Sequence, residues 1–314
     1  MLGFIIRRLF LGVLVLILAI STLYVLVQLA PGDPASAMLG PRATPAIKAA
    51  YAEKLGLDKP MPIQIANYLV SVAKGDLGTD LRSRKPVIDT LSVHLPHTIQ
   101  LVGAALLLAA SLGIPLGCIT AVRRNGIFDR VVGVLSVSII AVPTVIIAIY
   151  GMLLFSARLG WLPAIGAGEG TIGSIIHHLI MPAIAVGIGW VGYLARLVRA
   201  SMIEVLSANY IRNARSFGLT EMRIIYRYAL RGAIAPTITV LGVGIGFMLG
   251  SAVFAEIIFA RPGIGKLMYD AVILRNYPVS LGAVLASTVL LVGAVTAADI
   301  LNALIDPRFK ESRE

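Results

Sequence analysis

Residues 98–122 read TIQLVGAALLLAASLGIPLGCITAV, a run of 25 residues without a charged side chain. The hydrocarbon core of a bilayer is about 30 Å thick, and a helix of roughly 20 apolar residues crosses it. The run is long enough for that purpose, so it predicts a transmembrane helix.

Five further stretches have the same character. The six predicted spans are Leu9–Ala30, Thr98–Val122, Val131–Phe155, Leu179–Leu197, Ala233–Phe254 and Val279–Leu304. The chain of 314 residues is 58% hydrophobic and 14% charged, whereas soluble domains have roughly 45–50% apolar and about 25% charged residues. This composition excludes a typical soluble enzyme, a disordered chain and a fibrous repeat, and it predicts an all-α polytopic membrane protein.

The distribution of Lys and Arg predicts the orientation of these spans. With the N-terminus inside, the inner segments and inner helix ends hold 15 basic residues, and the two short outer segments hold four. Short cytoplasmic loops carry such an excess, while long loops translocate largely regardless of charge. Both termini are therefore predicted in the cytoplasm. The net charge of +11 is explained by this bias, so no nucleic-acid partner is expected.

The spans divide the chain into four segments. Residues 1–30 form a cytoplasmic end and the first span, 31–97 an extracytoplasmic insertion, 98–304 a five-helix core, and 305–314 a cytoplasmic tail. The first span is longer than the roughly 7–15 apolar residues of a signal peptide, so it is predicted to remain uncleaved.

The extracytoplasmic insertion is too long to lack structure. Thr44-Pro45 is typical of a helix start, and that helix is expected to end at Gly56. A second helix is predicted over Pro62–Lys74, with Gly75 as its terminator. We expect a small helical lid over the outer mouth; a packing cap without substrate contact is the alternative.

Two glycine patterns invite a chemical interpretation. Residues 187–192 match the GxGxxG pattern of dinucleotide sites, but they lie inside a predicted span rather than after a strand, so close packing is expected instead. Residues 263–267 lack the first Gly and the Ser/Thr of a phosphate loop.

Gly242, Gly246 and Gly250 predict a packing face on the fifth span; a helix that lines a pathway and changes shape is the alternative.

Few polar groups lie near the spans. Asp299 is ionisable within a span, where pairing with a basic residue or a functional role are both open. Cys118, the single cysteine, is expected to be an inert packing residue. Four imidazoles fall on the predicted outer side and are expected to be polar groups at helix ends, with a metal site as the alternative: His94, His97, His177 and His178.

Residues 198–232 are too long for a turn and too polar for a span. Apolar side chains recur there at steps of three and four, which predicts one face of a helix: Ile203, Leu206, Tyr210, Ala214 and Phe217. Gly218 is expected to end this helix. Thr220 is expected to cap the next one, with Glu221 at its positive end.

This pattern predicts a helix, a glycine elbow and a second helix that leads into span five. Arg212 and Arg215 lie off the apolar face. Such a segment on the cytoplasmic side is suited to dock into another protein; a solvated connector is the alternative.

Residues 210–219 read YIRNARSFGL and resemble the coupling-helix motif of binding-protein-dependent ABC importer permeases. The general motif reads E-A-A, three residues, G, nine residues, then I-x-L-P. Ala214, Gly218 and Leu230 match it. The departures resemble the peptide-permease branch, whose motif commonly reads Y-x-R-T-A-R-A-K-G-L followed by H-A-L-R-N; they are Arg212, Asn213, Tyr228 and Arg231.

Short segments along nearly the whole chain agree with that branch. They are APGDP (30–34), GDLG (75–78), KPV (85–87), LPHTIQL (95–101), LGWLP (159–163), RPGIG (261–265), RNYP (275–278) and DPR (306–308). Each is weak alone, but their order and spacing make the resemblance specific. The chain is similar to the first, B-type permease of dipeptide/oligopeptide importers.

The resemblance implies a type I ABC importer permease fold with six transmembrane helices in a bacterial inner membrane. It implies a homologous second permease, two cytoplasmic ATPases that use ATP and Mg²⁺, and an extracytoplasmic binding protein that delivers substrate. No catalytic residue, cofactor or metal is expected in this chain. The residues implied to couple to an ATPase are Tyr210, Arg212, Ala214, Arg215, Ser216, Phe217, Gly218 and Leu219.

Other functions remain to be weighed against peptide import. The same machinery could carry nickel chelates, glutathione or another small solute. A secondary transporter usually shows internal repeats and buried coupling residues, and a membrane-embedded enzyme needs converging polar groups at depth. One marginal acid in six spans argues against both.

Overall fold

The computed structural model describes residues 2–29, 44–46 and 59–305. Within these ranges the chain is helical apart from its connections and one isolated β-bridge between Thr79 and Pro86. The helices are α1 (Leu2–Leu29), α2 (Met61–Ala73), α3 (Val87–Val122), α4 (Ile127–Ala141), α5 (Thr144–Arg158), α6 (Ile172–Leu206), α7 (Asn209–Ser216), α8 (Glu221–Ile258), α9 (Ile264–Ile273) and α10 (Tyr277–Ile305).

The long helices account for the predicted spans. The helices α3, α6, α8 and α10 are each long and apolar enough to cross a membrane, and α4 and α5 together form a fifth candidate. The described residues thus make a multi-pass membrane protein. Helix α1 contains the apolar stretch Phe10–Leu26, which is shorter than the others, and its role as the sixth span stays a prediction.

The third predicted span is not the continuous helix that Val131–Phe155 suggested. Helices α4 and α5 meet at an angle of 97°. Val142 between them has an extended backbone, with φ −85° and ψ 121°, because the ring of Pro143 disfavours helical geometry in the residue before it. Pro182 and Pro236, by contrast, lie inside α6 and α8 without ending either helix.

The chain divides into two compact units, residues 1–97 with 262–292 and residues 98–261 with 293–314. In the first unit, apolar side chains form one core: Leu77, Val87, Leu91, Ile264, Ala271, Val279 and Ala283. The predicted lid helix Pro62–Lys74 is confirmed as α2. Gly75, at φ +83°, ends it, and its N–H donates to the carbonyl of Val72 at 2.9 Å.

Other predicted features of the insertion and the tail lie outside the described residues. They are the body of the first lid helix up to Gly56 and the segments APGDP (30–34) and DPR (306–308). Of that first helix the structure describes only its start, at Thr44–Ala46.

The first unit also brings the GDLG, KPV and RNYP segments together around Asp80. The Asp80 Oδ1 atom accepts hydrogen bonds from the backbone N–H of Arg82 at 2.9 Å and from Nδ2 of Asn276 at 2.6 Å. Its Oδ2 accepts from the hydroxyl of Ser83 at 2.6 Å. Burial raises the pKa of Asp80, but these hydrogen bonds outweigh it and hold the pKa below its ordinary value.

In the second unit, the GxGxxG-like residues 187–192 include two glycines at close helix contacts. A Cβ at Gly187 would lie 2.7 Å from the backbone oxygen of Ala105 on α3, and one at Gly192 would lie 2.9 Å from that of Ser136 on α4. The middle glycine, Gly189, has nothing within 4 Å. The expectation of close packing is confirmed for the outer two glycines.

The predicted glycine face of span five is only partly confirmed. A Cβ at Gly242 would clash with Ala298 of α10, but one at Gly250 would meet nothing within 4 Å. The close approach to α6 is made instead by Gly244, where an added Cβ would lie 2.7 Å from the Trp190 ring. The reason is that α8 contacts different helices on different faces, so a spacing of four does not select a single partner.

A buried polar cluster near the end of α8 was not anticipated from the sequence. Glu256 and Arg261 are both fully buried. The hydroxyl of Thr98 donates to Oε1 of Glu256 at 2.6 Å, and Nη2 of Arg261 donates to Oε1 of Gln100 at 2.9 Å. The cluster therefore ties α3 to the end of α8 and the loop that follows it.

Candidate functional site

The elbow segment, residues 209–232, is anchored by two side chains of α7. Ile211 is fully buried and Ala214 is 8% exposed. Both belong to a core cluster whose other buried members come from α3, α6 and α8: Cys118, Ala121, Val198, Met202, Ile224, Ile225, Ala229 and Ala233. The short helix is thus held against three long helices, and Cys118 is a packing residue as expected.

Gly218 ends α7 as the sequence predicted. Its φ is +74°, the left-handed conformation that glycine adopts without strain. The N–H of Gly218 donates to the carbonyl of Arg215 at 2.9 Å, and the N–H of Leu219 donates to that of Ala214 at 3.3 Å. These two bonds make a Schellman motif, and Leu219 packs beside Ala214 in the same cluster. The turn direction is therefore set by the backbone.

An ion pair closes the elbow. Nε and Nη2 of Arg215 donate to the two carboxylate oxygens of Glu221 at 2.8 and 3.3 Å. The hydrogen bond to Glu221 raises the pKa of the Arg215 guanidinium. Glu221 lies in the first turn of α8, as expected. Thr220 is the N-cap residue of that helix, as predicted, but its side chain makes no capping hydrogen bond.

The apolar residues that were predicted to form one helical face lie on two different helices. Helix α6 continues to Leu206 and α7 begins only at Asn209, so Ile203 and Leu206 belong to a different helix from Phe217. Because the chain breaks between α6 and α7, α7 turns other side chains towards the core than a continuous helix would. As a result, Tyr210 and Phe217 are 50% and 85% exposed, whereas Ala214 points into the core.

The exposed side chains of the elbow segment are of two kinds, apolar and basic. Met222 and Phe217 are both exposed. The hydroxyl of Ser216 donates back to the carbonyl of Arg212 at 3.2 Å and so lies along α7. Four arginines of the segment are also exposed: Arg212, Arg223, Arg227 and Arg231.

A second ion pair joins the start of α4 to α6, the helix that precedes the elbow segment. Asp129, at the start of α4, is buried and accepts two hydrogen bonds from the guanidinium of Arg199 on α6, at 2.6 and 2.7 Å. Asp129 also accepts from the backbone N–H of Asn125 at 2.9 Å. Arg199 was counted only as a basic loop residue in the sequence. Its acidic partner is 70 positions away, so spacing could not reveal it.

His94, His177 and His178 each contact a backbone carbonyl. His94 Nδ1 lies 2.8 Å from the oxygen of Thr90, His178 Nδ1 lies 2.8 Å from that of Ser174, and His177 Nε2 lies 3.0 Å from that of Trp161. The His94 and His178 contacts each span one helical turn near the starts of α3 and α6, whereas His177 contacts a carbonyl 16 positions earlier in the chain. Lys266, the lysine of the phosphate-loop-like segment 263–267, forms an ion pair within α9. Its Nζ atom lies 2.6 Å from Oδ2 of Asp270.

Comparison with known families matches nearly the whole chain. Residues 113–311 match the family described as binding-protein-dependent transport system inner membrane component. Residues 1–102 match the family that describes the N-terminal part of such membrane components. The elbow segment lies inside the first match.

Individual relatives agree over the full length. The dipeptide transport system permease protein DppB of Alkalihalophilus pseudofirmus is 34% identical, over 99% of this chain and 100% of its own. The glutathione transport system permease protein GsiC of Salmonella choleraesuis is 34% identical over 99% of both chains. Among solved structures, an inward-facing MetNI methionine ABC transporter matches with a TM-score of 0.58 and 18% identity, over 70% of this chain and 97% of that chain.

Proposed function

The chain belongs to the family of binding-protein-dependent transport system inner membrane components, and from that membership we propose that it is the permease subunit of an ATP-driven peptide importer. It forms half of a translocation pathway, together with a homologous second permease. An extracytoplasmic binding protein delivers the peptide, and two cytoplasmic ATPases drive the cycle.

The observation that carries this proposal is the construction of the elbow segment. Its inner side is locked to three long helices through Ile211 and Ala214, and its outer side exposes Tyr210 and Phe217. Large exposed aromatic side chains on a rigid support suit a docking surface. The exposed arginines of the same segment suit a groove with an acidic rim.

Movement is transmitted by packing. When an ATPase shifts α7, the buried contacts of Ile211 require α6 and α8 to move with it, because closely packed helices rearrange as rigid bodies. The Arg199–Asp129 pair extends the connection to α4. ATP and Mg²⁺ act in the partner ATPases, and this chain contributes no catalytic group to hydrolysis.

Peptides are the cargo favoured by the relatives. One full-length relative is named for dipeptide transport and another for glutathione, and both cargoes carry amide bonds and free carboxylates. Nickel chelates and other small solutes are the competing cargoes for the same machinery.

The proposed setting is a bacterial inner membrane with both termini in the cytoplasm. The excess of basic residues on one side supports this orientation. Single cysteines at Ala46 and Ser207, in a Cys118→Ser background, test it, since both positions are exposed. A membrane-impermeant thiol reagent should label position 46 and not 207 in cells with a permeabilised outer envelope; the reverse pattern would contradict the orientation.

The function itself is tested by purification and reconstitution. The chain should co-purify with two ATPases and a second permease, and vesicles should take up a radiolabelled dipeptide only with ATP and the binding protein. Uptake that persists without ATP on an ion gradient would instead indicate a secondary transporter.

A further inference from the structure

The connection between α3 and α4 is short and strongly basic. Helix α3 ends at Val122 and α4 begins at Ile127, so only residues 123–126 join them. These residues read RRNG, and Arg130 follows in the first turn of α4. All three arginines are exposed. Within the described ranges their side chains make no hydrogen bond or ion pair, so their charges are available to a partner.

The one acidic residue of α4 is turned away from the surface. Asp129 is buried, and its carboxylate accepts two hydrogen bonds from the Arg199 guanidinium of α6. It also accepts one from the backbone N–H of Asn125 at 2.9 Å. Asn125 has a left-handed backbone, with φ +66°, a conformation in which Asn is enriched among residues other than Gly. Asp129 thus fixes the turn and leaves no exposed carboxylate on α4.

An uncovered apolar face of α4 runs from this connection into the third predicted span. Ile127 is 82%, Val131 49% and Val134 65% exposed. Their steps of four and three positions place them on one side of the helix, opposite Asp129 and Ser136, which are both buried. The exposed arginines therefore stand at the end of an apolar face, as the phosphate of a phospholipid stands at the end of its acyl chains.

The length of the connection limits how far it rises from the bilayer. The second predicted span ends at Val122, where α3 also ends. Four extended residues cover at most about 14 Å, so a path out and back rises about 7 Å. The headgroup layer on each side of the hydrocarbon core is about 5–8 Å deep. Residues 123–126 therefore lie at the level of the lipid headgroups.

We propose that Arg123, Arg124 and Arg130 bind the phosphate of an anionic phospholipid, with Ile127 against its acyl chains. Guanidinium groups form paired, charge-assisted hydrogen bonds with phosphate, and basic clusters next to spans attract anionic lipids. A second permease fits this surface less well, since short cytoplasmic loops of membrane proteins share the same positive bias and two basic loops repel each other. The site lies outside the elbow segment and is independent of the cargo.

Contact with lipid is measured by a fluorophore at position 127. Ile127→Cys in a Cys118→Ser background is labelled with bimane. The complete transporter is then placed in phosphatidylcholine vesicles that contain a minor fraction of lipid with brominated acyl chains, because bromine quenches a fluorophore that it touches. We expect brominated phosphatidylglycerol to quench more strongly than brominated phosphatidylcholine at the same fraction. Ile172→Cys is the matched control and should show no preference, since Ile172 is 77% exposed and no Lys or Arg lies within ten positions of it.

Charge variants test whether the arginines cause the preference. Each Arg→Gln change should lower the preference for phosphatidylglycerol about fivefold, the typical effect of one basic residue near an anionic surface. Arg123→Gln/Arg124→Gln should therefore remove most of it. Arg123→Lys/Arg124→Lys retains the charge, and with it the inward bias of the loop, so it should keep the larger part. Arg82→Gln/Arg158→Gln removes two charges from the predicted outer segments and should leave the preference unchanged.

Four results would overturn the proposal. Equal quenching by the two brominated lipids would show that the loop does not select an anionic headgroup, and no quenching by either would show that lipid does not reach it. An undiminished preference in Arg123→Gln/Arg124→Gln would exclude these arginines as the cause. Relief of quenching by inorganic phosphate, but not by chloride at the same ionic strength, would indicate a site for free phosphate instead. Because quenching reports lipid contact alone, its outcome is independent of whether the transporter imports peptides.

Discussion

Arg215 and Glu221 face each other across Gly218, with both carboxylate oxygens of Glu221 within 3.3 Å of the Arg215 guanidinium. Both side chains are substantially exposed, and exposed ion pairs contribute only about 0.2–1 kcal/mol. The conformation of the elbow segment therefore depends on the backbone turn at Gly218 and on the buried side chains Ile211 and Ala214. The ion pair adds little to its stability. Three of the five donors of Arg215 remain for a partner protein.

A charge-swap series distinguishes the two roles of Arg215. We expect Arg215→Glu to weaken co-purification of the ATPases. The substitution removes a positive charge, and the new carboxylate lies opposite Glu221 and repels it. The defect should be larger at low ionic strength, since salt screens exposed charges. The double variant Arg215→Glu/Glu221→Arg restores the pair with reversed polarity. Wild-type assembly by this double variant would mean that the ATPase does not contact Arg215 and that the pair is only structural.

Gly218 offers a test of the elbow that does not involve steric clash. Nothing lies within 4 Å of an added Cβ there, so a substitution acts only through the left-handed backbone conformation. Gly218→Val should cost about 1–2 kcal/mol and leave membrane insertion intact, but weaken ATPase association or uncouple hydrolysis from uptake. Gly218→Asn is the control, because Asn tolerates this conformation. Substrate-stimulated ATP hydrolysis in vesicles measures both, and normal coupling in the Val variant would contradict a role of the elbow in coupling.

The sequence was sufficient for features that depend on local rules. Apolar length predicted α3, α6, α8 and α10, and the position of Gly218 predicted the end of α7. The helix α2 and its terminator Gly75 followed in the same way. These features depend on neighbours a few positions apart, which is the range over which helix periodicity and capping operate.

Features that depend on distant partners were missed or wrong. The outward orientation of Tyr210 and Phe217 follows from a break at Ser207–Ala208 that has no Gly or Pro to mark it. Glu256 lay two residues beyond the predicted end of span five, so its burial was not considered. Its partner Thr98 is 158 positions away, and no local pattern connects them.

The glycines of residues 187–192 differ in what surrounds them, which gives an internal control. Gly192→Ala would place a Cβ 2.9 Å from the backbone oxygen of Ser136, and a backbone cannot move aside as a flexible side chain can. We expect a loss of about 1–3 kcal/mol in stability, seen as a lower aggregation temperature in detergent. Gly189→Ala, with open space around it, should behave like the wild type. Equal stability of the two variants would contradict the close packing of α6 on α4.

The buried cluster of Glu256 and Arg261 predicts strong coupling between two substitutions. Burial lowers the pKa of the Arg261 guanidinium, and the Glu256 carboxylate opposes this shift. Glu256→Leu should destabilise the protein by about 3–5 kcal/mol, since it leaves a buried charge without its counter-charge. The double variant Glu256→Leu/Arg261→Met should recover much of that loss. Additive effects in thermal unfolding would show that the two charges do not interact.

The turn around Asp80 predicts a pH dependence of known sign. Its pKa is held below the ordinary value in the folded state, so its stabilisation is fully present above the unfolded pKa of about 3.9. That stabilisation is lost as the pH falls through the lower folded pKa. Protease cleavage of the turn at residues 78–86 in the purified complex should therefore be slow at neutral pH and accelerate below about pH 4. Asp80→Asn should be cleaved faster at neutral pH and show little acceleration on acidification. Asp89→Asn, at an exposed position early in α3, should retain the wild-type profile; the same loss of pH dependence in that variant would assign the effect to general acid destabilisation rather than to Asp80.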